Sequence, residues 1–307
     1  MDAKSRGTLE MTAAMLISGT IGWFVLVSGK PVFEVVFWRC AFGAAALLIV
    51  CAALGLLRGL LNWRIAGTAA LGGVAIVVNW LLLFASYTHA SISIATAVYN
   101  TQPFMLVTLG AIFLAERLTA TKVMWLIIAF VGMLLIVRTS HSAGAEASYV
   151  VGVTLALGAA FFYAVAAILA KKMQGTPPHL IALIQVCVGV LMLAPFMSRA
   201  SLPQAASEWG TLATLGVVHT GLMYILLYGA IQKLPTHLTG SLSFIYPIVA
   251  IIVDYVAFDQ RLRADQIAGA VLILVAAAGT NLGWSFDAAR SLPRRWMTRT
   301  KVHADCS

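Results

Sequence analysis

Charge is what this chain has least of. Charged side chains make up 10% of its 307 residues, against 61% that are hydrophobic. A soluble domain carries about 25% charged residues, and no soluble core could bury this much apolar surface. The composition excludes a water-exposed globule and requires a surface that faces lipid. Cysteine is equally sparse. Cys40, Cys51 and Cys187 lie within apolar runs and Cys306 lies in the tail, with no two in one loop and none at metal-ligand spacing. That excludes a disulfide framework and a thiolate metal centre, and no metal or cofactor is expected. The chain also lacks an H-E-x-x-H motif and any nucleophile–base constellation, which argues against an intramembrane enzyme. The net charge of +9 would suggest a nucleic-acid partner in a soluble protein. Here the cations occupy short loops between apolar runs, so they are read as orientation signals and no nucleic acid is expected.

What the chain has is apolar runs of membrane length. A helix crossing the hydrocarbon needs about 20 apolar residues. Ten such segments are predicted, at 7–28, 33–57, 64–86, 91–115, 120–138, 149–170, 180–198, 209–231, 237–258 and 264–284. The first follows Lys4 and Arg6 and could pass for a signal peptide. No small-residue cleavage site follows it and another run starts at Val32, so it reads as an uncleaved span. The predicted class is therefore all-α, a polytopic protein of the lipid bilayer. Abundant Gly and Ala allow the helices to approach closely.

Ten spans place both termini on one side. Fourteen of the 20 Lys and Arg residues fall on that side, among them Lys4, Arg117, Lys122, Lys171, Lys172 and Lys233. Five fall on the other: Lys30, Arg138, Arg199, Arg261 and Arg263. Arg39 is left inside the second span. The asymmetry predicts cytoplasmic termini. The stretch 290–307, with Arg290, Arg294, Arg295, Arg299 and Lys301, reads as a basic cytoplasmic tail against the anionic leaflet.

Shifting the chain against itself by 144 residues aligns Gly72 with Gly216, Leu82-Leu83 with Leu226-Leu227, Pro103 with Pro247 and Arg117-Leu118 with Arg261-Leu262, in one gapless register. This predicts two five-helix repeats, 1–145 and 146–289. Five is odd, so the second repeat enters the membrane in the opposite sense. Inverted repeats suit alternating access around a site between the halves; a purely structural duplication is the plain alternative.

The motifs Tyr99-Asn100-Thr101-Gln102-Pro103 and Leu114-Ala115-Glu116-Arg117-Leu118-Thr119, followed by Gly132, resemble the helix 4 to helix 5 hairpin of the EamA-type drug/metabolite transporters. Leu234-Pro235 through Tyr246-Pro247 and Arg261-Leu262 look like a second copy, and Arg39 matches an arginine usual early in helix 2 of that family. Within the superfamily the chain looks most like the bacterial aromatic amino acid exporters. One departure is that Gln260 stands where Glu116 aligns, with Asp259 beside it. The resemblance implies export, and residence in a bacterial inner membrane.

Pro103 and Pro247 fall within the fourth and ninth spans. Each is expected to kink its helix and release the carbonyl four residues earlier, that of Tyr99 or Ser243. Such carbonyls need a partner or a wet cavity, and matched interruptions point to a transport site. Around them the sequence offers Trp23, Asn79, Trp80, Tyr99, Gln102, Tyr163, His219, Tyr224, Ser243 and Tyr246 as substrate-binding candidates. Tyr99 and Gln102 are expected one turn apart on a shared face. The plain readings are helix–helix glue for Asn79, an interfacial anchor for Trp23 and a satisfied interhelical hydrogen bond for His219. Arg39, with Glu34 near enough to pair, reads as a lock between helices.

The pocket so assembled is aromatic and uncharged, with no run of carboxylates for a proton relay and no cationic cluster for phosphates. It suits a neutral amino acid with a flat apolar side chain. The expected function is export of aromatic or other large neutral amino acids. The alternatives are a broader exporter of lipophilic drugs or metabolites, and a non-transporting scaffold, which the prolines disfavour.

Overall fold

Backbone amides have no water to bond in hydrocarbon, so a chain this apolar must close its hydrogen bonds within helices. The computed structural model describes residues 2–57, 62–89, 95, 98–137, 146–197, 202–258 and 264–285, and every regular element among them is helical. The hairpin positions Asp259 to Leu262 and the stretch 290–307 lie outside the described residues, as does the side chain of Asp254.

The helices group into ten spans close to the expected boundaries. Spans 2, 3, 5, 6, 7 and 10 are single α-helices: Val32–Ala53, Trp63–His89, Ala120–Val137, Glu146–Lys172, Pro178–Leu193 and Ala264–Leu282. The other four are interrupted. Span 1 is Ala3–Ser18 and Ile21–Ser28, parted at Gly19 and Thr20. Span 4 resumes as Gln102–Leu114 after a turn at Asn100 and Thr101. Span 8 is Ala206–Gly216 and Met223–Lys233, joined by a π-helical stretch Val217–Leu222. Span 9 is Thr236–Ser243 and Ile245–Phe258, parted at Phe244.

The two prolines therefore break their spans instead of bending them. Pro103 sits in the first turn of the second half of span 4, where its missing N–H is no loss. Its ring would strike the carbonyl four residues back in a continuous helix, and Tyr99 is the last helical residue before the turn. Pro247 stands in the same relation to Ser243, the last residue of Thr236–Ser243. The breaks at Asn100 and Phe244 are 144 residues apart, in the register of the sequence repeat.

Spans from the two halves of the chain pack against each other. Span 3 lies on span 6 and span 1 on span 8. Spans 2 and 7, 4 and 9, and 5 and 10 are also neighbours. Span 3 touches span 7 as span 8 touches span 2; span 4 touches span 6 as span 9 touches span 1. Exchanging spans 1–5 for spans 6–10 leaves this set of neighbours unchanged. The outside of the bundle is apolar, with Ile49, Ile112, Leu191, Val256 and Leu274 exposed, as a lipid-facing surface requires.

Glycines set the closest crossings. Gly240 lies against Pro103 between spans 9 and 4, Gly132 against the Gly269 carbonyl between spans 5 and 10, and Gly19 against Val249 between spans 1 and 9. The tightest is Gly216 on span 8. A Cβ there would stand 2.3 Å from Phe42 Cβ and 3.1 Å from the Arg39 carbonyl. Gly216→Ala should therefore force spans 2 and 8 apart, at a cost of about 1–3 kcal/mol, read as a lowered melting temperature in detergent. Gly67→Ala, with nothing within 4 Å of the new methyl, should leave that temperature unchanged or slightly raised.

Candidate functional site

The broken spans bring polar and aromatic side chains together between the halves. Trp80 on span 3 meets the Tyr224 ring edge-on at 5.6 Å, and Tyr224 meets Tyr228 at 5.2 Å. Tyr99, at the end of the first half of span 4, faces Tyr163 of span 6 at 6.3 Å. Asn79 donates to the Ala159 carbonyl at 2.7 Å and to the Tyr99 hydroxyl at 3.3 Å. Asn100, in the break of span 4, donates to the Tyr246 hydroxyl just past the break of span 9, at 3.3 Å. Ser243 donates to the Thr239 carbonyl at 2.8 Å, and its side chain lies near that of Tyr163.

Asn79 and Gln102 carry buried oxygens, Oδ1 and Oε1, with no partner among the described residues. A buried, unsatisfied acceptor costs about 1–3 kcal/mol, so these atoms mark places where a polar ligand group or water would be stabilised. Trp23 and Tyr246 are partly exposed; the other candidates, Asn79, Trp80, Tyr99, Gln102, Tyr163, His219, Tyr224 and Ser243, are all buried, as are Pro103 and Pro247. The cluster is closed to solvent.

The candidates do not all belong to it. His219 lies in the π-helical stretch and faces span 1: its Nε2 is 2.7 Å from Thr20 Oγ1, and its ring packs on Phe24 at 4.7 Å. Trp23 packs edge-on against the same Phe24. These two make a separate group at the break of span 1. Tyr99 and Gln102 do not share a continuous helical face, because the chain breaks between them. Asn79 is helix glue through its nitrogen and unpaired through its oxygen.

The structure adds residues that the sequence reading passed over. Gln185 on span 7 accepts from the Tyr228 hydroxyl and leaves its own nitrogen without a partner among the described residues. The sign was available: Gln185 is a lone amide inside an apolar span, as Asn79 is. Arg39 does not reach Glu34. Its Nε donates to Thr220 Oγ1 at 2.7 Å and a terminal nitrogen to the His219 carbonyl at 3.1 Å, while its guanidinium lies 4.3 Å from the Trp80 ring centre.

A second polar centre closes the face of the bundle that carries the N-terminus. Ala115 has a left-handed backbone (φ 52) that ends span 4 and turns the chain to Glu116. The Glu116 carboxylate accepts from Lys171 Nζ at 2.7 Å, from the Thr236 amide at 2.9 Å and from the Thr236 hydroxyl at 2.7 Å. Lys171 also donates to the Leu234 carbonyl at 2.6 Å. The hairpin of spans 4 and 5 is thus tied to the end of span 6 and the start of span 9, where a carboxylate also meets the positive end of a helix. Beside it Glu10 pairs with Lys233 at 2.6 Å. A cavity of about 320 Å³ opens here, lined by Glu116, Arg117, Lys122, Lys171, Lys233 and His237 among others. At the opposite face Lys30 pairs with Glu208 at 2.9 Å.

Ten apolar helical spans, with two broken at corresponding positions beside unpaired polar atoms, are the architecture of a membrane transporter. The sequence pattern of the EamA-like transporter family matches twice, over residues 5–138 and 150–282, and the chain belongs to that family. It is 31% identical over 281 residues to the "Uncharacterized transporter YxxF" of Bacillus subtilis (strain 168), covering 90% of each chain. It is 27% identical over 194 residues to a "Probable amino-acid metabolite efflux pump" of Salmonella typhimurium, covering 59% of this chain and 64% of that one. It is 25% identical over 253 residues to the "Pseudopaline exporter CntI" of Pseudomonas aeruginosa (strain UCBPP-PA14), covering 80% and 84%. A crystal structure with 21% sequence identity matches with a TM-score of 0.78 over 91% of this chain and 97% of the other, a likeness of fold alone.

The Glu116 centre is testable. Burial raises the carboxyl pKa, but the Lys171 and Thr236 hydrogen bonds and the Lys171 charge outweigh it and hold the group below its usual range. Its stabilisation is present above the unfolded carboxylate pKa and is lost as pH falls through the lowered folded value. A double-mutant cycle with Glu116→Gln and Lys171→Ala should give a coupling of about 1–3 kcal/mol at pH 7, shrinking in acid. A coupling near zero at pH 7 would show that the pair does not hold this face shut.

Proposed function

We propose that this transporter exports aromatic or other large neutral amino acids across a bacterial inner membrane, with both termini cytoplasmic. On this reading residues 1–145 and 146–289 are inverted repeats that rock around the cluster between them. The carrying observation is the chemistry of that cluster. Trp80, Tyr99, Tyr163 and Tyr224 offer flat apolar surface; Asn79, which donates to Tyr99, offers an unused acceptor beside it, and Gln102 Oε1 offers another at the break of span 4. A cargo with a ring and an ammonium group answers both. A purely lipophilic cargo would leave the amide oxygens unpaired.

Further support comes from the double family match, from the pairing of spans that survives exchange of the halves, and from relatives named as an amino-acid metabolite efflux pump and an exporter. The aromatic residues Trp80, Tyr99, Tyr163 and Tyr224 are buried, while the cavity near Glu116 opens on the face carrying the N-terminus. In this scheme that cavity is the loading side, and release of the Glu116–Lys171 and Glu10–Lys233 ties opens the path inward.

The test is transport in proteoliposomes with a panel of labelled amino acids. Aromatic and large neutral members should be carried and acidic, basic and very small ones should not. Tyr99→Ala should weaken binding by about 1 kcal/mol through the lost ring contact, and Gln102→Ala by a similar amount, about 1 kcal/mol, through the lost acceptor. Pro247→Ala can rejoin span 9 and should slow turnover more than it weakens binding. Wild-type binding and rates for all three at matched expression would place the site elsewhere.

A further inference from the structure

Arg39 lies within span 2 and is 1% exposed. A guanidinium keeps its proton in any protein setting, so this is a full positive charge inside the bundle. Its contacts are Thr220 Oγ1, the His219 carbonyl and the Trp80 ring, and all three are neutral. The ion pairs among the described residues join Arg6 and Lys233 to Glu10, Lys30 to Glu208 and Lys171 to Glu116; none includes Arg39. Buried charges are normally paired, because neutral dipoles and a ring face recover only part of the lost hydration. Charged groups at membrane depth usually mark a transport pathway.

Three further features fix what such a charge can serve. Arg39 stacks on Trp80, so it belongs to the aromatic cluster and not to its surroundings. The carbonyl and hydroxyl that hold it come from the π-helical stretch of span 8, where Thr220 bonds back to the Leu215 carbonyl and His219 to that of Thr214, five residues earlier. Such stretches recur at functional sites because they re-aim backbone groups. Next to Trp80 in sequence, Asn79 presents its unpaired Oδ1, and Gln102 Oε1 is unpaired as well. Among the described residues, the cluster thus holds a cation lacking an anion, with an acceptor lacking a donor at Asn79 and another at the break of span 4. That is the complement of a zwitterion.

We infer that Arg39 receives an anionic oxygen group of the cargo, a carboxylate in the amino acid case, while the amide oxygens of Asn79 and Gln102 receive its ammonium. The inference rests on the transport reading above and deepens it. It makes the anionic group a condition of recognition. Planar, two-pronged pairing with a carboxylate is available to Arg and not to Lys, and the cargo would neutralise a charge that pairs with no anion among the described residues.

The test compares an aromatic amino acid with its carboxamide and its decarboxylated amine on the wild-type protein in proteoliposomes. The three share ring and ammonium and differ only at the carboxylate. The acid should bind and move at least about tenfold better than either. Equal handling of amide or amine would overturn the inference and leave aromatic cargo standing. If the aromatic set is not carried but an aliphatic amino acid is carried in preference to its own amide, the aromatic reading fails and the role of Arg39 stands. Cargo restricted to amines or uncharged lipophiles would overturn both. Arg39→Lys should keep the preference for the acid with weaker binding, and Arg39→Gln should abolish the acid-to-amide ratio. A role as a mere helix lock would lower the amount of active protein and leave that ratio unchanged. Should Arg39→Gln fail to reach the membrane, the ligand series and Arg39→Lys still decide.

Discussion

A backbone carbonyl without a partner is expensive in hydrocarbon, and a proline inside a spanning helix creates one. This chain places a proline four residues after Tyr99 and another four residues after Ser243, in corresponding positions of its two halves. Much of the centre follows from that constraint. The spans end at those residues and restart a residue or two later, and the break regions face each other, joined by the bond from Asn100 to Tyr246. Tyr163 is placed against both break-point residues. Polar side chains gather where the backbone is irregular, because only there is the lining of a cavity compatible with the surrounding lipid.

The breaks are held in place by close helix contacts instead of charge. Gly240 seats Pro103, and Gly19 lets span 1 yield beside Tyr246 and Val249. Among the described residues, ion pairs are kept to the two faces of the bundle. The Glu116 centre ties three elements from both halves with one carboxylate, and its partners are separated by up to 120 residues of sequence. A device of this kind can be made and broken as the halves move, since its groups regain water when it opens. Arg39 is the exception, a charge kept at depth that pairs with no carboxylate among the described residues.

Much of this was legible in the residues. Length and apolarity mark ten spans, and the gapless 144-residue register marks both interruption points through Pro103 and Pro247, although it suggests kinks where the helices in fact break. What proved illegible depended on neighbours distant in sequence. The interruption at Gly19 and Thr20 lies against Val249 of span 9 and His219 of span 8, and the π-helical stretch at 217–222 carries no proline to announce it. Arg39 was placed with Glu34 because the two are near in sequence, whereas its partners at Thr220 and His219 are some 180 positions away. His219 and Trp23 passed as pocket residues on polarity and aromaticity alone; their partner Phe24 assigns them to the break of span 1. Hydropathy reports depth, and it does not report which face of a helix meets which neighbour.

The account stands on one claim, that a cluster now closed to solvent opens to each face of the membrane in turn. The direct measurement places a cysteine at Ser243, 1% exposed in this structure, in a protein with its four native cysteines replaced. Impermeant thiol reagents are then applied from each side separately. Reaction from both sides, at relative rates that shift when cargo is added, is the predicted result. Reaction from one side only, whatever the cargo, would contradict it.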